Sequence, residues 1–310
     1  MDAQAFIAQQ IDEIRRVVGA EKALVALSGG VDSSTVALLG HRAIGEQLDC
    51  LFIDDGLMRK NEGAMVQEIF AGLGVQVRIL DAADRFFDAL KGLCDPEEKR
   101  KAFRDAFYRT LGEAVRQSGA KFMLQGTIAA DVIETQKGIK TQHNILEQIG
   151  IDPAAEYGLH VLEPLKTLFK HEVRQVARAL GLPTEISERQ PFPGPGLATR
   201  IVGEVTPERV ATVREAQAIV EEELEALKPF QCMAVLLSDR ATGLRDGQRE
   251  LGQIIAVRAV YSTDAMTAEV VQVPWEKLTR LQQRICAEVP GVIKVLYDLT
   301  PKPPSTIEYV

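Results

Sequence analysis

The sequence predicts an α/β fold, a parallel sheet doubly wound with helices on both faces, followed by a smaller α+β domain. Three observations carry this reading. Short apolar runs alternate with helix-like segments through the first half. A Gly-rich segment, Ser28-Gly29-Gly30-Val31-Asp32-Ser33-Ser34, joins one apolar run to the helix after it. A stretch with three prolines and two glycines, Pro191-Phe192-Pro193-Gly194-Pro195-Gly196, continues neither a helix nor a sheet core, and the order of elements changes beyond it. The domains are expected at 1–190 and 191–310.

The elements follow in order. Lys22–Leu27 is the first strand and Ser33–Gly45 the helix after the Gly-rich turn. Leu48–Ile53 is the second strand and ends in Asp54-Asp55-Gly56. A helix at Glu62–Ala71 leads through Gly72 and Gly74 to a third strand, Val75–Leu80. Phe122–Leu124 and Leu159–Leu162 are the fourth and fifth. Between them, Asp95 can cap a helix, Pro96 suits its first turn, and Glu97 and Glu98 favour its positive end. Phe103, Phe107, Leu111 and Val115 give that helix one buried stripe. Lys99, Arg100 and Lys101 read as its solvated face. Past the Pro-rich stretch, a helix is predicted at Pro207–Leu227, with Glu221-Glu222-Glu223 solvated. Strands follow at Met233–Leu237, Ile254–Tyr261 and Glu269–Val273, then a helix at Pro274–Val289 and a strand at Val292–Leu299.

Composition excludes several classes. The 310 residues carry a net charge of −8, with 46% hydrophobic and 26% charged residues, which is globular rather than disordered. The longest apolar runs fall far short of the ~20 residues of a membrane span. Met1-Asp2-Ala3-Gln4 lacks the start of a signal peptide, so a cytoplasmic protein is expected. The acidic balance argues against coating a nucleic acid polymer, though not against a nucleotide substrate. Cys50, Cys94, Cys232 and Cys286 form no CxxC pair, which argues against a disulfide framework or zinc knuckle.

The Ser28–Ser34 segment has the parts of a phosphate cradle. Glycines let the backbone approach a ligand, amides at the helix start face phosphate oxygens, and the serine hydroxyls add donors. Asp32 can help hold Mg²⁺. The Gly-Lys-Ser/Thr ending of a Walker loop is absent, and an ordinary strand-to-helix turn is the alternative. Arg59, just past the second strand, can grip a phosphate bidentately or lie in a solvated turn. Asp131 and Glu134 share a helical face and can supply carboxylate oxygens to Mg²⁺; a surface acid pair is the alternative.

The heptad resembles the pyrophosphate-binding loop of the ATP pyrophosphatases. That likeness implies an adenine nucleotide alpha hydrolase-like fold and cleavage of ATP between its α and β phosphates. Four further segments narrow it: Asp54-Asp55-Gly56-Leu57-Met58-Arg59; Gln125-Gly126-Thr127 with Asp131-Val132-Ile133-Glu134; Arg189-Gln190-Pro191-Phe192-Pro193-Gly194-Pro195-Gly196-Leu197; and Lys302-Pro303-Pro304-Ser305-Thr306-Ile307-Glu308. Together they resemble the ATP-pyrophosphatase and dimerisation regions of the GMP synthetase family, over essentially the whole chain.

The resemblance implies a ligase that makes GMP from xanthosine monophosphate (XMP), ATP and ammonia through an adenylyl-XMP intermediate. It implies ATP binding by Ser28, Gly29, Gly30, Val31, Asp32, Ser33, Ser34 and Gly126, with Asp32 and Lys166 catalytic and Mg²⁺ at Asp32, Asp131 and Glu134. Arg59, Arg189, Gln231, Arg249, Lys302, Ile307 and Glu308 would bind substrate, the last three on a tail folded back over XMP. A homodimer is implied as well. No cysteine has the Gly-rich context of a glutaminase nucleophile, and each reads as a small buried side chain. Ammonia is therefore expected from solution or a separate glutaminase subunit.

This sequence departs from the family pattern in places. It has Thr141-Gln142-His143-Asn144 where Ser-His-His-Asn is usual, Gln190 where His is usual, and Asp246-Gly247-Gln248-Arg249 in place of Gly-Asp-Gly-Arg. Two rival readings follow: a paralogue that adenylates another nucleotide or purine, and a non-catalytic nucleotide-binding regulatory subunit. A panel of acceptors separates the first from XMP amination, and an ATP-to-AMP assay separates the second.

Overall fold

The computed structural model describes residues 1–136, 159–263 and 265–310. The segment from Thr141, with His143, lies outside the described residues. The chain forms two compact units. One comprises Met1–Asp54, Asn61–Ala82 and Asp105–Arg189, the other Asp55–Lys60, Ala83–Arg104 and Gln190–Val310.

The first unit is built on five parallel strands: β1 (Ala23–Leu27), β2 (Leu48–Asp54), β3 (Val77–Asp81), β4 (Phe122–Leu124) and β5 (His160–Leu162). Their order is β3-β2-β1-β4-β5. The central strands are near-continuous apolar runs because helices cover both faces: Leu24, Leu51 and Phe52 are fully buried. Helices α1 (Ala3–Val18) and α2 (Val31–Ile44) pack on one another and on the later helix Lys170–Ala179. Asp2 caps α1 by accepting from the amides of Gln4 and Ala5. The order reverses between β1 and β4, so the segments leaving these two strands flank the crevice where doubly wound sheets bind ligands.

The second unit holds a long antiparallel hairpin, β6 (Gln231–Arg245) and β7 (Gln248–Tyr261). Strand β8 (Glu269–Val270) pairs antiparallel with the end of β7, and β9 (Val292–Tyr297) runs parallel to it. The helix Pro207–Leu224 packs on β6 and on the helix Trp275–Glu288. The Met233–Leu237 run is only the inner third of β6. The outer part, Ser238 to Arg245, has no apolar run to mark it. It is specified instead by a two-residue Asp246-Gly247 turn, both residues at positive φ.

Three surface expectations are corrected. Lys99 is buried at 3% exposure and donates to the Ile201 carbonyl at 2.7 Å; burial lowers its pKa to about 8. Arg100 and Lys101 do face solvent. Of the three glutamates, Glu222 alone is exposed: Glu223 is buried against Arg284 and Arg280, and half-buried Glu221 pairs with Arg59. Each charge went inside because a partner on another element satisfies it. Cys94 is exposed rather than buried, Cys286 is half-buried, and Cys50 and Cys232 are buried with thiols pushed up to about 12 by desolvation. The Asp95 cap holds, accepting from the amides of Glu97 and Glu98. In the stripe of that helix Phe103, Leu111 and Val115 are buried and Phe107 half-buried.

Candidate nucleotide site

Ser28–Ser34 leaves the carboxyl end of β1 and opens α2. The loop is tied to itself. The Ser28 amide donates to Ser33 Oγ at 3.1 Å, the two hydroxyls lie 3.0 Å apart, and Ser33 Oγ donates to the Gly30 carbonyl. Gly29 sits at φ +73°, and a Cβ there would lie 2.5 Å from Glu62 Oε1. Both the backbone angle and the neighbour therefore require glycine. Gly126, leaving β4, comes so close to the start of α2 that a Cβ would lie 3.1 Å from the Asp32 carbonyl carbon and the Ser33 nitrogen. The crevice between β1 and β4 is thus walled by backbone, with the α2 amides at its floor.

Asp32 carries the charge of this site. Its Oδ2 accepts from Lys170 Nζ at 2.6 Å, while its Oδ1 is buried without a hydrogen-bond partner among the described residues. Burial pushes its carboxyl above the usual range, Lys170 pulls the other way, and nearby Asp131 adds to the rise. Among the described residues Ser34 Oγ is likewise buried without a partner. Asp131 lies in the first turn of the helix Ala129–Gln136 and accepts from the Ile128 amide at 3.1 Å. The Glu134 side chain lies outside the described residues. Lys166 is exposed, whereas Lys170, four residues on and at the start of the next helix, reaches Asp32. Sequence reading missed Lys170 because its pairing spans 138 positions. The only local signal was its place at the N-terminus of an amphipathic helix.

Mg²⁺ usually binds through one or two carboxylates together with substrate phosphates. Asp32 with its unsatisfied oxygen, and Asp131 beside it, fit that demand. Among the described residues no cluster of three or more His, Cys, Asp or Glu forms a complete protein cage.

Arg189 donates to both oxygens of buried Glu62, at 2.5 and 3.1 Å, and Glu62 abuts Gly29 of the loop. The guanidinium is therefore linked to the loop through a carboxylate.

The remaining candidates lie in the second unit. Arg59 is 7% exposed. It bonds Glu221 Oε1 at 2.7 Å and the Gln190 carbonyl at 3.3 Å, and it lies over the Phe192 ring at 4.1 Å. Its guanidinium serves that packing. The Pro-rich segment is no loose linker: the Leu197 amide donates to the Leu57 carbonyl at 2.8 Å, and Arg200 covers Phe192 at 4.8 Å. Gln190 Oε1 accepts from the Cys232 amide at 2.9 Å, anchoring the start of β6.

The tail is docked. Lys302 exchanges two backbone bonds with Ala268, and its Nζ donates to the Ala265 carbonyl at 2.9 Å. Ile307 packs on Met233, Val235 and Ala256. The Glu308 carboxylate accepts from Gln231 and lies 3.4 Å from Arg200 and from Thr199 Oγ1. Gln231, Ile307 and Glu308 thus come together. Arg249 does not join them. It pairs with Leu244 near the hairpin tip, whereas Gln231 pairs with Val260 at the other end. That is roughly 37 Å along the ladder at ~3.4 Å per residue.

Residues 3–185 match the PP-loop domain family and residues 218–309 the GMP synthase C terminal domain. The chain is 52% identical to the B-type subunit of the glutamine-hydrolyzing GMP synthase of Methanocella arvoryzae, over 100% of this chain and 99% of the relative. It is 50% identical to the proteins of the same name from Methanopyrus kandleri, over 99% of each chain, and Archaeoglobus fulgidus, over 100% of each. A phosphate loop at the reversal of a parallel sheet, followed by a second unit with a docked C-terminal tail, is matched over its full length. The chain belongs to the family of B-type GMP synthase subunits.

Proposed function

We propose that this chain is the synthetase subunit of a two-subunit GMP synthase: a ligase that forms GMP from XMP, ATP and ammonia. The observation that carries the reading is the Ser28–Ser34 loop at the β1/β4 reversal, with Lys170 on one oxygen of Asp32 and the other oxygen without a partner among the described residues. In this reading the XMP 2-oxygen attacks the α-phosphorus of ATP, and pyrophosphate leaves. Ammonia then attacks C2 of the adenylyl-XMP, AMP departs, and a proton is lost to solvent.

The chain's own residues act by position and charge. The α2 amides and the Ser28 and Ser33 hydroxyls hold the departing phosphates. Asp32 and Asp131 would hold Mg²⁺, which would neutralise charge on those phosphates. Lys170 favours the ionised form of Asp32 against the desolvation that raises its pKa, and adds a cation beside the loop. Lys166, exposed on the segment before Lys170, is available to ATP phosphates. Arg189 supports the loop from behind through Glu62. Gln231, Ile307, Glu308 and Lys302 bind the acceptor nucleotide, so that 1–190 serves ATP while 191–310 serves XMP and dimerisation.

The exposed Trp275 and Leu296, which share a cleft with Leu278 and Tyr297, support a homodimer. Sedimentation showing monomers alone at micromolar concentration would count against it. Ammonia comes free or from a separate glutaminase subunit: Cys50 and Cys232 are held as buried thiols, and no described cysteine is bonded to a histidine. Among the described residues no helix is long and apolar enough to cross a membrane, which suits a cytoplasmic enzyme.

The test is product formation from ATP, Mg²⁺ and ammonium with XMP or a panel of other nucleotides and purines. GMP from XMP, with AMP and pyrophosphate in equal amounts, is expected. Turnover with another acceptor but not XMP would overturn the reading, as would the absence of AMP formation with every acceptor.

A further inference from the structure

We infer that Arg258, on β7, is a positioning residue that sets the C-terminal tail for the acceptor nucleotide. The inference rests on the reading above in which the tail serves XMP.

Arg258 is fully buried, and burying a guanidinium is costly unless its donors are filled. They are filled almost entirely by the chain's last segment. Nε donates to the Ile307 carbonyl at 3.1 Å and Nη2 to the Thr306 carbonyl at 2.8 Å. Nη1 donates to the Thr300 carbonyl at 2.6 Å and to Asp298 Oδ2 at 2.7 Å. One planar fork therefore grips both ends of the tail, before Lys302 and just before Glu308. A fixed fork with donors in set directions imposes a path that a point charge cannot.

Asp298 completes the device. Its Oδ1 accepts from the Thr300 amide at 2.8 Å, and its carboxyl is held below the usual carboxylate range, with Arg258 and Thr300 outweighing its partial burial. Arg258 contacts neither Lys302 nor Glu308 directly. It acts through the backbone that carries them, leaving Glu308 on Gln231 and Arg200. Because those two side chains face the acceptor, loosening the fork should weaken XMP binding selectively. The pyrophosphate loop is in the other compact unit.

The test uses the full chain with Arg258→Gln and Arg258→Lys, and a Lys302–Val310 deletion alongside. Arg258→Gln is expected to raise the KM for XMP by roughly ten- to a hundredfold, the scale of lost charged hydrogen bonds. The KM for ATP should stay unchanged. Arg258→Lys should restore part of the loss. Hydrogen exchange should show the amides of 300–308 released while the β6–β7 ladder stays protected. A general loss of stability would instead move both KM values and kcat together, and that outcome, or an unchanged XMP KM, overturns the inference. If Arg258→Gln fails to fold, Asp298→Asn carries the same split at smaller size, and its absence there overturns the inference equally. If the deletion leaves XMP kinetics unchanged, the tail reading fails. If the deletion weakens XMP binding and the Arg258 variants do not, the tail reading stands and this inference alone falls.

Discussion

At the scale of single residues, the chemistry concentrates on Asp32. Among the described residues one of its oxygens is paired and the other is buried without a partner, which fits the proposed Mg²⁺. Asp32→Asn keeps the shape and removes the charge. It is expected to lower AMP formation by roughly a hundred- to a thousandfold while leaving the circular dichroism spectrum unchanged; near-normal turnover at saturating Mg²⁺ would remove Asp32 from this role. Burial raises the Asp32 pKa and Lys170 opposes the rise. Activity that needs the carboxylate should therefore fall as pH drops through a value above the ordinary carboxylate range. Removing the opposing cation must raise that value further, so the acid limb of residual kcat in Lys170→Met is expected at higher pH than in the wild type. A limb that stays in place or moves to lower pH would show that Lys170 does not set the ionisation of Asp32.

At the scale of elements, the buried Lys99 shows what sequence pattern conveys and what it does not. The Asp95 cap, the acidic first turn and the apolar stripe of its helix are local, and each is legible from spacing. Lys99 sits in the same turn as Arg100 and reads like it, yet its partner, the Ile201 carbonyl, is 102 positions away. Burial lowers its pKa from 10.5 to about 8. Below pH 8 the folded and unfolded chains both hold the proton. Between about pH 8 and 10.5 the unfolded chain holds more protons, so the Lys99 contribution to stability rises with pH. Urea midpoints of the wild type and Lys99→Met are expected to shift in favour of the wild type across this window, the buried cysteines titrating alike in both. A constant gap would contradict the depressed pKa. The same division between local and distant signals explains the hairpin. Apolar Met233–Leu237 is visible in the sequence, while the outer part of β6 depends on a turn and a partner strand. It also explains why Lys170 escaped notice while Asp32, in its Gly-rich loop, did not.

At the scale of the whole molecule, the chain combines a nucleotide-activating unit with a second unit whose docked tail presents Glu308. The activating half was legible because a phosphate loop is contiguous. The proposed acceptor half was legible only through resemblance, since Gln231 and Glu308 lie far apart in sequence and meet through folding, with Arg200 added by the structure. Resemblance also placed Arg249 with them, where the hairpin register keeps it apart within one chain. The isolated chain is expected to use ammonium and not glutamine, measured as GMP with either nitrogen source; sustained glutamate release from glutamine would contradict this. In the proposed reaction AMP passes from ATP to the XMP 2-oxygen. XMP carrying heavy oxygen at that position, turned over with ATP, Mg²⁺ and ammonium, tests it most directly. The label is expected in the phosphate of AMP, in amounts equal to the GMP formed. Label found in pyrophosphate or released to water, with none in AMP, would contradict it.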